Sequence, residues 1–247
     1  MKIAILVCSD DASDHADHFP NDGEKYVALL GPVRPRWSFH AVPVHRDVLP
    51  GLVSDHDAYV ITGSSHSNTS ARPWVDRLHD FVRRVDEAKV PTVGICFGHQ
   101  AIAQALGGAV ETLPGEGAAE RTHVGVATMS LAAREPWMEP WRSELTLHCA
   151  HEEQVTRLPP RARILATHGR CPAAMFAVED HMVACEFHPE IDADYLIGKL
   201  RAMKGELGED VAERIEREVR AADTHGPVLG RWFANFIDAA HGARATA

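Results

Sequence analysis

The chain has 247 residues, of which 45% are hydrophobic and 24% charged, the composition of a globular protein able to bury a sizeable core. With 35 acidic and 25 basic side chains its net charge is −10, which argues against nucleic acid or an anionic membrane surface as a partner, since both need a basic face. No stretch reaches the roughly 18 apolar residues that span a bilayer.

The opening run, Lys2–Val7, is too short and too soon followed by acids for a signal peptide, and reads as a first strand. Asp10, Asp11, Asp14 and Asp17 follow it, in a stretch that suits a solvated loop and has the charge to meet a cationic amine. Tyr26–Leu30 belongs to a first helix and Ser38–Val44 alternates apolar with polar. Ala58–Thr62 is a buried-strand run ending at Gly63-Ser64-Ser65. Trp74, Leu78, Phe81, Val82 and Val85 share one helical face. Val90–Ile95 is the next strand, with Pro91 near its start, and Ala101–Leu106 is helical until Gly107-Gly108 stops it.

The second half changes character. Val124–Met129, Leu145–His148, Arg163–Thr167, Ala174–Val178 and Met182–Phe187 are short runs without long helices between them, which predicts antiparallel strands, with Glu179-Asp180-His181 as a hairpin turn. Asp192–Met203, Asp210–Ala222 and Val228–Ala240 have helical periodicity. Alternating strands and helices followed by this pattern predict an α/β fold: a mostly parallel sheet flanked by helices, a small antiparallel extension and a C-terminal helical tail. Residues 1–200 are expected to form the catalytic domain, with 201–247 as a helical extension packed on it.

Gly94-Ile95-Cys96-Phe97-Gly98 lies between a strand and a helix, the thiol form of a nucleophile elbow. The sharp turn lifts Cys96 to a helix N-terminus, where the dipole favours a thiolate. A cysteine nucleophile needs a base and an orienting group. Glu186-Phe187-His188-Pro189-Glu190 supplies both, because residues two apart in an extended segment point to the same side, so Glu190 can accept from one imidazole nitrogen of His188 while the other faces Cys96. Five cysteines (8, 96, 149, 171 and 185), an odd count without framework spacing, fit a reducing cytoplasm. Among 16 histidines, His15/His18 and His148/His151 have helical spacing, but no metal motif accompanies them and no metal or cofactor is expected.

Gly94-Ile95-Cys96-Phe97-Gly98-His99-Gln100 together with Phe187-His188-Pro189-Glu190 resembles the two signatures of class I (triad) glutamine amidotransferases, a likeness that runs from Lys2 to about Tyr195. The resemblance implies that family's flavodoxin-like fold, Cys96, His188 and Glu190 as a catalytic triad, and a thioester acyl-enzyme. It also implies an oxyanion hole from the amide of Gly63 or Ser64, in the glycine-containing loop after the third strand, and that of Phe97. Gln100 matches the family's substrate-holding glutamine. Cys149-Ala150-His151-Glu152-Glu153 resembles the family's Ser-His-Gly-Asp segment lining the glutamine pocket, which implies substrate contacts at Ala150, His151 and Glu152, although Glu152 replaces the small central residue.

Gly63-Ser64-Ser65-His66, the elbow and the tail ending Arg231-Trp232-Phe233-Ala234-Asn235-Phe236 look like stand-alone γ-glutamyl peptidases, implying a small-molecule γ-glutamyl substrate. A glutaminase delivering ammonia to a separate synthase subunit is the alternative, with Trp74, Trp137 or Trp141 on a docking surface. A catalytically silent scaffold and a metal-dependent hydrolase are the readings from other classes.

Overall fold

The structure, a computed structural model, describes residues 1–9 and 18–246. His15 and the acids from Asp10 to Asp17 lie outside the described residues. In chain order the elements are β1 (Lys2–Val7), α1 (Asp22–Leu30), β2 (Ser38–Pro43), β3 (Ala58–Ile61), α2 (Pro73–Glu87), β4 (Thr92–Ile95), α3 (Phe97–Ala105), β5 (Ala109–Thr112), α4 (Ala118–Arg121) and β6 (His123–Leu131). There follow β7 (Glu144–His151), β8 (Glu153–Arg157), β9 (Ala162–His168), β10 (Cys171–Val178), β11 (Met182–Cys185), α5 (Ala193–Ala202), α6 (Lys204–Leu207), α7 (Glu209–Ala221) and α8 (Gly226–Ala245).

Nine strands form one sheet in the order β2-β1-β3-β4-β11-β10-β9-β6-β7. The first five are mutually parallel. Beyond β11 the pairing turns antiparallel through β10, β9, β6 and β7. The expected hairpin joins β10 to β11, closing at the pair Val178–Met182. β5 and β8, absent from the sequence reading, form a separate two-stranded ribbon.

Strand alternation divides the core into two layers. Ile3, Ile5, Val60, Val93 and Ile95 face one side, where Tyr26 and Leu30 of α1 and Trp232, Phe233 and Phe236 of α8 cover them. Ala4, Leu6, Tyr59 and Ile61 face the other, under the α2 stripe of Trp74, Leu78, Phe81, Val82 and Val85 and under Phe97, Ala101 and Ile102 of α3. A third cluster packs Leu196, Leu200, Leu207, Ile215 and Val219 of α5–α7 over Val124 and Val126 of β6. The expected boundary at residue 200 falls inside α5, and α8 shares the first core layer with β1 and β4.

Trp74 is buried against Phe97, whereas Trp141, stacked on Trp232, and Trp137, edge to face with Phe236, are half-buried. His148 and His151 both fall on β7, where three-residue spacing sends them to opposite faces instead of along one helical stripe. Among the described residues no group of three or more His, Cys, Asp or Glu is arranged to hold a metal ion, and no helix is long and apolar enough to cross a membrane. All five cysteines are free.

α3 presses so closely on the sheet that its first turn has no room for a side chain at residue 98. A Cβ on Gly98 would stand 2.3 Å from Ile61 O, and one on Gly94 2.6 Å from Gly98 O, backbone atoms that cannot swing away. Gly98→Ala is therefore expected to lower stability by about 1–3 kcal/mol, the usual cost of overpacking. Urea unfolding measures it; a midpoint matching that of the parent protein would show that α3 can lift off β3.

Candidate active site

The site forms where β3, β4 and β11 end. These three strands are neighbours and parallel, so their C-terminal ends open on one edge of the sheet. The register pairs Ile61 with Gly94 and Ile95 with Cys185, which sets Gly63, Cys96 and His188 just past adjacent strand ends.

Cys96 has φ 49° and ψ −106°, a left-handed conformation that a non-glycine residue adopts only under constraint. The constraint is visible on both sides. Its N–H donates to Cys185 O at 2.9 Å, and its carbonyl accepts from Gln100 N at 3.0 Å. The residue is 5% exposed, whereas the other four cysteines are 0% exposed.

His188 is held on two sides as well. Its Nδ1–H donates to Glu190 Oε1 at 2.6 Å, and its backbone N–H donates to His148 O at 2.8 Å. Nε2 is buried and has no hydrogen-bond partner. Gly63 locates this ring relative to the sulfur residue, because a Cβ there would lie 3.1 Å from His188 Cε1 and 3.8 Å from Cys96 Cβ. The imidazole, the thiol residue and the loop after β3 thus meet at one point.

Burial sets the charges. Desolvation pushes the Cys96 thiol well above its ordinary value, the carboxylates of Glu186 and Glu190 push it further, and an N–H from Phe97 opposes them only in part. Burial and the two carboxylates favour the thiol, against the pull toward thiolate expected from the helix dipole. Burial also works to raise Glu190, but the charge and hydrogen bond of His188 prevail and hold it below the ordinary carboxylate value. Glu186 is fully buried and likewise lowered: burial opposes, and the charges of His99 and His151 win. His99 Nδ1 lies 2.9 Å from Glu186 Oε2, while His99 Nε2–H donates to Ala173 O at 2.8 Å.

A cavity of about 410 Å³ opens above the sulfur. Cys96, Gln100, Ala150, His151 and Glu152 line it, as does Ser64, whereas Gly63, Phe97, His188 and Glu190 do not. Gln100 Nε2 donates to both Glu186 Oε1 and Glu153 O at 2.8 Å, and its Oε1 accepts from Asn68 Nδ2 at 3.3 Å. Both ring nitrogens of His151 are buried without a hydrogen-bond partner. The far wall comes from Lys199, Met203 and Glu206 of the helical tail. Asn68, His99, Glu153 and Glu186 are members of this site that sequence reasoning did not select. For His99 and Glu186 the available signal was a polar residue inside an otherwise apolar run, and both are 0% exposed; Asn68, 3% exposed, lies in a polar loop that gave no such signal.

With this geometry in view, known proteins give a consistent comparison. The family model described as glutamine amidotransferase class-I matches residues 38–194. γ-Glutamyl peptidase 4 of Arabidopsis thaliana is 28% identical over 200 residues, 79% of this chain and 78% of that protein. The glutamine-hydrolysing GMP synthase of Bordetella parapertussis is 31% identical over 148 residues, 59% of this chain and 28% of that protein. The crystal structure of a glutamine amidotransferase from Thermotoga maritima has the same fold, with a TM-score of 0.72 at 16% identity over 96% of this chain and 98% of that one.

Two expectations follow from the geometry and charges. Gly63→Ala pushes a methyl into His188 from 3.1 Å, so turnover should fall by at least about tenfold while the melting temperature changes little. Activity assays beside a thermal scan check it, and full activity would mean that the ring has space to retreat. The second concerns acid. Glu190 and Glu186 have folded-state values below the ordinary 4.5, so the stability they contribute is fully present above 4.5 and is lost as pH falls through the depressed values. Denaturant midpoints taken from pH 6 downward should decline through that window, and less steeply in Glu190→Gln; identical slopes would remove Glu190 from the acid limb.

Proposed function

Because the chain belongs to the class-I glutamine amidotransferase family, we propose that it is a cysteine-dependent amidohydrolase that cleaves the side-chain amide of a γ-glutamyl compound through a thioester acyl-enzyme. The observation that carries this reading is the meeting of Cys96, His188 and Gly63 at one strand edge, with Glu190 2.6 Å behind the imidazole.

In the proposed reaction His188 Nε2 takes the proton of the Cys96 thiol as Sγ attacks the γ-carbonyl carbon. Charge appears on sulfur only while an imidazolium stands beside it, and Glu190 stabilises that cation through Nδ1–H. The carbonyl oxygen becomes an oxyanion, met by the N–H of Phe97 and that of Gly63 or Ser64. When the tetrahedral intermediate collapses, the C–N bond breaks, His188 returns its proton to the leaving amine, and the glutamyl group stays on sulfur as a thioester. Water then attacks the thioester, giving its proton to His188, and free glutamate leaves as the thiol is restored.

The glutamyl half is assigned to Gln100, Ala150, His151 and Glu152. Both amide hydrogens of Gln100 are committed to protein oxygens, so what it offers a substrate is the carbonyl oxygen, which already accepts from Asn68 Nδ2 and has a second lone pair suited to an α-ammonium group. A γ-glutamyl amide is glutamine carrying a substituent on nitrogen, and the leaving-group side faces the open wall of Lys199, Met203 and Glu206. The reading of a γ-glutamyl peptidase is supported by the match along most of the Arabidopsis thaliana peptidase. A glutaminase serving a separate synthase subunit is the second reading, favoured by the likeness to part of the Bordetella parapertussis GMP synthase.

Glutamine, glutathione and γ-glutamyl amines, assayed separately for free ammonia and free glutamate, distinguish these outcomes. Glutamate released from bulky amides by the protein alone is expected, whereas ammonia released from glutamine only in the presence of a second protein would select the synthase reading. Cys96→Ser should be nearly inactive and Glu190→Gln slower by about 10²–10⁴-fold without complete loss. Full rate in Glu190→Gln would remove it from the triad.

A further inference from the structure

The loop over residues 64–72 covers one side of the cavity and has little regular structure of its own. Its outer ties converge on one carboxylate at the first residue of β8. Ser67 Oγ donates to Glu153 Oε1 at 2.6 Å, Asn68 N to Glu153 Oε2 at 3.2 Å and Thr69 Oγ1 to Glu153 Oε1 at 3.3 Å. The backbone of the same residue accepts from Gln100 Nε2 at 2.8 Å. Asn68 carries the connection inward: its Nδ2 donates to Phe97 O at 2.8 Å, at the turn that holds the nucleophile, and its Oδ1 accepts from His79 Nε2 at 3.1 Å. Glu153 therefore joins three pieces distant in sequence: the loop after β3, the first turn of α3 and the corner between β7 and β8.

We propose that Glu153 is a positioning residue, the latch that holds the loop over residues 64–72 against the turn at Cys96 and so sets where the Gly63-Ser64 amides stand relative to the sulfur. This rests on the reading of Cys96 as an acylated nucleophile served by those amides. Hydrogen bonds to an ionised acceptor are the stronger kind, and here they replace the backbone ladder that the loop lacks. The reach of the latch is short, because the loop begins at Gly63, whose Cβ position already touches both His188 and Cys96.

The test compares Glu153→Gln with the parent protein. Glutamine removes the charge and turns one of the two acceptor oxygens into an NH₂ donor, so three donors no longer have two charged acceptors and the latch weakens without a change of size. Amide hydrogen exchange should become at least about tenfold faster within residues 64–72 and stay unchanged in β4 and α3. Turnover of a γ-glutamyl amide should fall by at least about tenfold in kcat with KM nearly constant. Alkylation of Cys96 by iodoacetamide, which develops no oxyanion, should remain within about twofold. Ser67→Ala, a milder opening, should give a smaller loss, and the double variant should lose no more than Glu153→Gln alone. Unchanged exchange in the loop, alkylation that slows in step with turnover, or additive losses in the double variant would overturn the latch. If Glu153→Gln does not fold, exchange and kcat in Ser67→Ala decide in the same sense. A parent protein inactive on every γ-glutamyl amide would sink the proposed function instead, and the exchange experiment would still decide the latch.

Discussion

The site depends on a close approach of backbone to backbone at the ends of β3, β4 and β11. β4 is the middle strand of the three and hydrogen-bonds to a parallel neighbour on either side. A helix must leave its end at once, since Phe97 is already the first residue of α3. The chain can turn that sharply only if α3 sits almost on the sheet, and glycines at 94 and 98 leave the space for it. The consequence is a cysteine in a left-handed conformation, clamped by Cys185 on one side and Gln100 on the other. A cost of roughly 1–3 kcal/mol for such a conformation is tolerable because two core layers, one on each face of the sheet, fix the strands around it.

The same burial decides the electrostatics. A thiol 5% exposed above two carboxylates resists ionisation at rest. On the proposed reading that is no defect, because His188 serves as the proton acceptor. In that mechanism transfer to His188 creates a thiolate and an imidazolium together, and the pair leaves the net charge of the pocket unchanged. Glu190, already held ionised by the ring, gains attraction as the ring becomes cationic. Glu186 has its own counterpart in His99, so the second carboxylate under the nucleophile is also matched within the protein.

What could be read from the sequence was local. The parallel strands, the α2 stripe and the β10–β11 hairpin announce themselves through period and punctuation within a dozen residues, and the elements appear where those signals lie. The Cys96 turn was legible because a strand, two glycines and a helix adjoin without a gap. Other features were not legible, each for a physical reason. β5 and β8 are four- and five-residue strands with partly exposed sides, and they gain order by pairing with each other across the intervening β6 and β7. His148 and His151 fit a helical spacing as well as a strand, and only pairing with β6 decides between them. The upward shift of the Cys96 thiol comes first from burial and then from Glu186 and Glu190, and no local pattern encodes any of the three. Asn68 looks like an ordinary loop polar residue until Phe97 O and Gln100 come within reach of its amide.

The two walls of the cavity are built on different principles, and this bears on how a member of the family can change its leaving amine without changing its chemistry. The inner wall is carried by the sheet edge and by backbone groups whose placement is fixed by register. The outer wall is a stripe of Lys199, Met203 and Glu206, spaced four and three residues apart, on short helices of the tail. The same helices bury Leu196, Leu200 and Leu207 beside Ile215 and Val219 of α7, and Met203 packs against that cluster from the wall side. That support is a small satellite core, separate from the layers beneath Cys96, so substitutions in it tilt the outer wall while the nucleophile turn stays where the register holds it. On the proposed reading the glutamyl half is recognised by groups that cannot easily move, whereas the amine meets a wall whose charge and position are free to drift. On that reading selectivity for the leaving group is expected to reside in the tail, and sequence differences there to carry more information about substrate than any in the elbow.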